Sequence, residues 1–251
     1  MSKVGWIRLV LILGSVGLLE ILCQSGVIRP MTMIPPSRMA VELWKLAASG
    51  KLAPPVTKTL GNVAAAFILS VVFGFIAGLL IHALPRFRRA LDPLLASYYA
   101  VPFFVFYPVL IVIFGMSDLP IIIIGFLFGV VAMIINTLNG LDRVPTVLLK
   151  VGRMNRMSAL QTAALIKLPS AAPYLFTGVK LAVAYSFIGV IASEFILSGS
   201  GIGYDIAYAY NNFDNRTMYA LMLFILTTVT TVNMALYIWE QRMLKRRQGG
   251  R

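Results

Sequence analysis

Six stretches of about twenty mostly apolar residues constrain this 251-residue chain more than any motif in it. A helix that crosses a bilayer needs about 20 such residues. In hydrocarbon every backbone N–H and C=O must find a partner within the protein, which leaves helices or closed barrels. The stretches run roughly over 4–23, 60–84, 93–115, 119–141, 173–198 and 218–243. They are continuous rather than alternating, and so predict an all-α integral membrane protein with about six transmembrane helices. Composition agrees: 59% of residues are hydrophobic, 12% are charged, and mean hydropathy is +0.86. Soluble domains run near 45–50% apolar and about 25% charged.

The connections are mostly short, which argues for one helical core over 60–251 preceded by a first helix and an elbow over 1–59. Lys3 and Arg8 followed by an apolar run to Cys23 resemble a signal peptide. The residues before Cys23 are Glu20, Ile21 and Leu22, which lack the small side chains a cleavage site needs. The segment 4–23 therefore reads as an uncleaved first span. Pro30, Pro35, Pro36, Pro54 and Pro55 break the elbow repeatedly. Between them, Ser37–Ala48 predicts one short amphipathic helix, with Met39, Leu43, Trp44 and Leu46 toward the membrane. Trp44 and Lys45 suit the interface.

The formal net charge is +13. In a membrane protein such an excess collects on the cytoplasmic side and is not the footprint of a nucleic acid. With the amino terminus inside, fifteen Lys and Arg fall on inner segments, including Arg86, Arg88, Arg89, Arg143, Lys150, Arg153, Arg156 and Lys167. Six fall outside: Arg29, Arg38, Lys45, Lys51, Lys58 and Arg216. Both termini are thus expected in the cytoplasm. One cysteine and one histidine, Cys23 and His82, exclude an internal disulfide and a Cys/His metal cluster. There is no G-x-x-x-x-G-K-[ST] loop, no H-E-x-x-H and no G-x-S-x-G, so no catalytic residue, cofactor or metal is assigned.

Small residues mark helix packing. Ser70, Gly74 and Gly78 recur on one face of the second span, and Gly125 and Gly129 repeat the spacing in the fourth. Lipid offers no hydrophobic drive for helices to associate, so backbones must approach closely instead. The third span carries Pro102 and Pro108 with Phe103, Phe104, Phe106 and Tyr107 between them. Pro102, Phe103 and Tyr107 either line a central pathway at a kink or are lipid-facing bulk. Glu194, an acid within the fifth span, is either a pathway or gate residue or an anchor at the outer interface. Gly199, Gly201 and Gly203 follow no strand and are not a nucleotide fingerprint. They predict an external turn leading into a short helix over Tyr204–Tyr210.

The stretch 144–173 cannot lie in a bilayer. It carries Lys150, Arg153, Arg156 and Lys167 and reads as two short helices with a break between them. Pro145 suits a first turn. Asn155 is expected to take the left-handed conformation that ends the first helix. Ser158 and Gln161 have the spacing of a capping box, and Pro169 is expected to end the second helix. A basic, partly apolar hairpin between spans is suited to docking a soluble partner.

At these residues the chain resembles the permease subunits of importer-type ABC transporters. Their cytoplasmic coupling loop has the form E-A-A-x(3)-G-x(9)-I-x-L-P, and Ile166, Leu168 and Pro169 fall on its last three positions. Ser193–Glu194, Gly201–Tyr204, Ile34–Ser37 and Arg89–Pro93 look like the nitrate/sulfonate/taurine group. The front of the pattern departs: Lys150 stands at the Glu, Val151 and Gly152 at the alanines, and Arg156 at the glycine. The resemblance implies a bacterial inner-membrane permease working by alternating access, with 60–251 as its core. Its implied partners are cytoplasmic ATPase subunits, a second permease subunit and an external substrate-binding protein. Its implied cargo is a small organic or inorganic anion or a vitamin-precursor-like molecule. Lys150, Arg153, Asn155, Arg156, Met157, Ser158, Leu160, Gln161, Ile166, Leu168 and Pro169 would form the ATPase-coupling surface, with Arg153, Arg156, Met157 and Leu160 at its face. The departures point to one half of a heteromeric permease pair, with a homodimer as the other arrangement. Two further classes stay open: an ATP-independent secondary transporter or channel, and a structural subunit with no pathway of its own.

Overall fold

Apolar runs without alternation leave the backbone only helical hydrogen bonds, and a computed structural model, which describes residues 3–248, shows helices joined by turns, with no strand among those residues. The helices are α1 (Lys3–Gln24), α2 (Pro36–Ala48), α3 (Ala53–Ala83), α4 (Pro85–Ser97), α5 (Tyr107–Phe114), α6 (Leu119–Asp142), α7 (Thr146–Met154), α8 (Ala159–Thr162), α9 (Leu168–Leu197), α10 (Ile202–Asn211) and α11 (Asn215–Gln248). Four of them, α3, α6, the path through α8 and α9, and α11, are long and apolar enough to cross a membrane. The count is five if the pair around α4 and α5 is one broken span, and 10–24 in α1 is a shorter apolar helix. Among the described residues, four or five of the six expected spans are thus met by length and composition.

The third predicted span differs most. Its helix starts at Pro85 rather than near Pro93, includes Pro93, and stops in a 3-10 turn at Tyr98–Ala100. A second 3-10 turn, Phe103–Phe106, leads into α5, and the two arms meet at 85°. Pro102 lacks the N–H that would carry a helix across this point. The chain therefore turns here instead of bending gently.

Contacts divide the chain into two units: residues up to Lys58 with Glu194–Thr228, and Thr59–Ser193 with the chain from Val229 on. In the second unit α6 is the central helix, with 67% of its apolar window buried. Its glycines set the packing. A Cβ on Gly129 would stand 2.6 Å from the Ser70 hydroxyl and 3.0 Å from the Ala182 carbonyl, so α3 and α9 close on α6 from two sides. A Cβ on Gly74 or Gly78 would meet Met133 or Thr137 at 2.7 Å, and one on Gly125 would meet Val190 at 2.7 Å. The predicted small-residue faces are these contacts. At the end of α6, Asp142 accepts both arms of the Arg88 guanidinium at 2.6 Å and lies 3.5 Å from His82, which ties the start of α4 to the ends of α3 and α6.

In the first unit Leu43, Leu46 and Val56 pack around Leu52, Ile202, Ile206, Met218 and Leu221. The expected membrane face of α2 is thus partly wrong: Met39 is buried, Leu43 and Leu46 turn inward, and of the four only Trp44 is widely exposed. Glu20 holds this helix in place. Its carboxylate accepts the Ser37 backbone N–H at 2.9 Å and the Ser37 hydroxyl, at an N-terminus where Pro35 has no side-chain cap to offer.

Candidate functional site: the basic hairpin and the broken span

In the second unit, the hairpin at 144–168 has the predicted short first helix, α7, and the predicted break, but its second arm is the start of a long helix rather than a short one. The break between them is a Schellman turn. The Arg156 N–H donates to the Arg153 carbonyl and the Met157 N–H to the Gly152 carbonyl, each at 3.0 Å. Those two bonds require a left-handed residue between them. That residue is Arg156, with φ 52°, and not Asn155, which keeps φ −83° and donates its side-chain amide to the Val151 carbonyl. Asparagine has the better left-handed propensity, but the register of the helix end places the turn one residue later. The motif glycine and Arg156 therefore occupy a position where glycine is the low-strain residue.

Beyond the turn, the Ser158 hydroxyl accepts the Gln161 N–H and the Gln161 side chain accepts the Ser158 N–H, the expected capping box. Pro169 does not end the second helix. A π turn over Ala163–Lys167 widens the helix just ahead of it, so the ring and missing N–H are accommodated and α8 runs through into α9. Gly152 is buried, and a Cβ there would lie 2.9 Å from Ile166 Cδ1. A small residue at the second alanine position of the pattern and the isoleucine thus pack on one another across the hairpin.

The hairpin's outer surface mixes apolar and cationic groups. Leu160 is 80% exposed, Met154 84%, and Val147 and Leu165 about two thirds. Lys150, Arg153, Arg156, Asn155, Ser158, Gln161 and Pro169 are also exposed, while Met157, Ile166 and Leu168 are half-buried. No acidic residue lies between Asp142 and Glu194. Arg143 donates to the Tyr174 hydroxyl at 2.9 Å, which fixes the root of the hairpin to α9.

The pathway candidates are distributed differently from one another. Pro102 is exposed at the break between α4 and α5. Phe103 and Tyr107 are buried with Val63, Ile121, Ile124, Phe187 and Val190. Glu194 is fully buried in the first unit, where it accepts the Gly203 N–H at 3.1 Å at the start of α10. Gly201, at φ 107°, passes so close over this carboxylate that no Cβ would fit. Glu20 and Glu194 therefore share one arrangement: each is a carboxylate at the N-terminus of a short helix. Sequence reasoning missed Glu240, a buried acid that pairs with the partly exposed Lys180. The Lys180 ammonium also sits 5.7 Å from the Tyr237 ring. The signal was an acid on the apolar side of the terminal basic cluster. A separate cleft of about 340 Å³ in the first unit is lined by Lys51, Asp205, Tyr208, Asn212 and Thr217 among others, and burial raises the Asp205 carboxyl above its ordinary range.

Residues 70–249 match the model of the family described as binding-protein-dependent transport system inner membrane component. The nitrate import permease protein of Leptolyngbya laminosa is 29% identical over 182 residues, which cover 72% of this chain and 62% of that protein. The bicarbonate transport system permease protein of a Synechocystis species is 31% identical over 61% of this chain and 55% of its own length. The chain thus spans less than two thirds of these two relatives. The putative aliphatic sulfonates transport permease protein of Bacillus subtilis is 24% identical over 97% of this chain and 89% of its own length. In fold, the chain is similar to a chain of the MetNI methionine ABC transporter in an inward-facing form, with a TM-score of 0.64 at 18% identity, covering 76% of this chain and 95% of that one.

Proposed function

Because the chain belongs to the family of binding-protein-dependent transport system inner membrane components, we propose that it is the membrane-spanning permease subunit of an ABC importer for a small oxyanion. The observation that carries this is the hairpin. The exposed Val147, Met154, Leu160 and Leu165 side chains call for a partner, and the cations with no acid among them favour a partner surface rich in carboxylates. A cytoplasmic ATPase subunit is that partner. The π turn joins α8 to α9 without a stop, so a push on the hairpin reaches the membrane helix directly. Alternating access then follows from nucleotide-driven movement of the partner, ATP being hydrolysed there and not in this chain.

Nitrate and bicarbonate relatives support an oxyanion as cargo. An external binding protein delivers it, both termini lie in the cytoplasm, and the break at Pro102 borders the pathway, with Phe103 and Tyr107 bracing it from behind. Arg156 at the left-handed position supports pairing with a second, different permease whose own loop carries glycine there. Purification of the tagged chain in mild detergent, with identification of every co-purifying protein, tests this. An ATPase and a second permease are expected. An ATPase with this permease alone removes the heteromeric arrangement, and no ATPase at all removes the importer reading.

A further inference from the structure

The break between α4 and α5 leaves Tyr99 and Ala100 exposed on a 3-10 turn and Val101 and Pro102 exposed on irregular backbone beside it. Such backbone is tolerated at membrane depth only where it is covered by protein or lines a water-filled space. Its depth follows from its neighbours. The Tyr98 hydroxyl donates to the carbonyl of Leu127 at 3.0 Å, and Leu127 is ninth of the 24 residues of α6. Tyr99 stacks on Tyr185 of α9, with ring centroids 5.2 Å apart and planes 26° from parallel. Tyr185 is eighteenth of the 30 residues of α9, and the next residue, Ser186, lies against Gly129, the eleventh of α6. The registers on α6 and on α9 thus both put the stacked pair near the middle of the spans.

Tyrosines that face lipid gather at the two interfaces, where the hydroxyl stays wet. A pair near the midplane, with Tyr99 45% exposed and Tyr185 half-buried, has no such outlet toward lipid. Discontinuous helices near the midplane are also where transport sites are built. The described acids of the spans are engaged elsewhere: Glu20 at α2, Glu194 at α10 and Glu240 on Lys180.

We propose that Tyr99 and Tyr185 line the translocation pathway at its midpoint and donate phenolic hydrogen bonds to the passing oxyanion. This rests on the permease reading above and adds to it the groups that meet the cargo. The stacked rings narrow the path from one side, and their hydroxyls replace part of the anion's hydration without fixing it, as a charged side chain would.

The test uses the full chain assembled with its own ATPase and binding protein in proteoliposomes, in a Cys23→Ser background. Tyr99→Cys and Tyr185→Cys are exposed to a membrane-impermeant, negatively charged methanethiosulfonate reagent, with Leu11→Cys, 67% exposed in the apolar α1, as the reference. Both are expected to react at least about tenfold faster than the reference. Separately, Tyr99→Phe/Tyr185→Phe is expected to lower ATP-driven nitrate uptake about tenfold, the loss expected from removing a charge-assisted hydrogen bond, at unchanged recovery of the complex. Reactivity no greater than the reference at both positions, or uptake unchanged in the double Phe variant, overturns the inference while leaving the permease reading intact. A wild-type complex that imports neither nitrate nor bicarbonate removes the oxyanion from both readings, and labelling still decides whether the pair borders water.

Discussion

Replacing Arg156 by glycine should tighten the turn of the hairpin. At φ 52° an L side chain crowds its own carbonyl, at a cost of about 1–2 kcal/mol. Glycine removes that strain but adds backbone freedom to the open state, which returns about 0.5–1 kcal/mol. The net gain is therefore about 0.5–1 kcal/mol, and it acts on two N–H groups, those of Arg156 and Met157 that close on Arg153 and Gly152. Hydrogen exchange of the segment 150–158 reads this directly. Local opening should slow by about two- to fivefold in Arg156→Gly. Arg156→Val, with a branched Cβ in the same conformation, should open faster than wild type. Slower exchange in the valine variant, or faster exchange in the glycine variant, would refute the assignment of the strained position.

Helix packing gives a sharp contrast: Gly129→Ala should destabilise by about 1–3 kcal/mol, because its Cβ meets the Ser70 hydroxyl and a backbone carbonyl. Gly61→Ala, which meets nothing within 4 Å, should be neutral or slightly stabilising; thermal unfolding in detergent compares the two. Lys180→Met leaves Glu240 buried without its cation and should cost about 3 kcal/mol, most of it recovered in Lys180→Met/Glu240→Leu. A double variant no better than the single one would contradict that. Gly201→Ala should loosen α10 by about 2 kcal/mol or more, since strain at φ 107° adds to overlap with the Glu194 carboxylate, and protection of the α10 amides is the readout.

What the sequence conveys here follows the range over which each signal acts. The capping box at Ser158 and the small-residue faces of α3 and α6 are read from neighbours three or four positions apart, and they stand in the fold as read; the apolar stretches stand as helices, except that the third is broken. The left-handed residue was misplaced because propensity favours Asn155, whereas the choice is made by which carbonyls the last turn leaves open. Pro169 looked like a stop because the π turn that accommodates it has no strong local signature. The break at Val101–Pro102 was legible as a kink, but its 85° angle depends on what α6 and α9 leave room for. Pairs far apart in the chain carried no signal at all: Lys180 with Glu240 is separated by 60 residues, and Tyr99 with Tyr185 by a whole span. Glu194 kept two readings in the sequence because its depth, five residues before Gly199, fits a gate and an anchor alike.

The most direct measurement of the central claim places a photo-crosslinker on Leu160→Cys, in a Cys23→Ser background, in native membranes. Leu160 is 80% exposed at the tip of the hairpin. The permease reading predicts a covalent product with an ATPase subunit, lost when Arg153→Glu and Arg156→Glu are added. Products with lipid alone, or with no ATPase among the captured proteins, would contradict it.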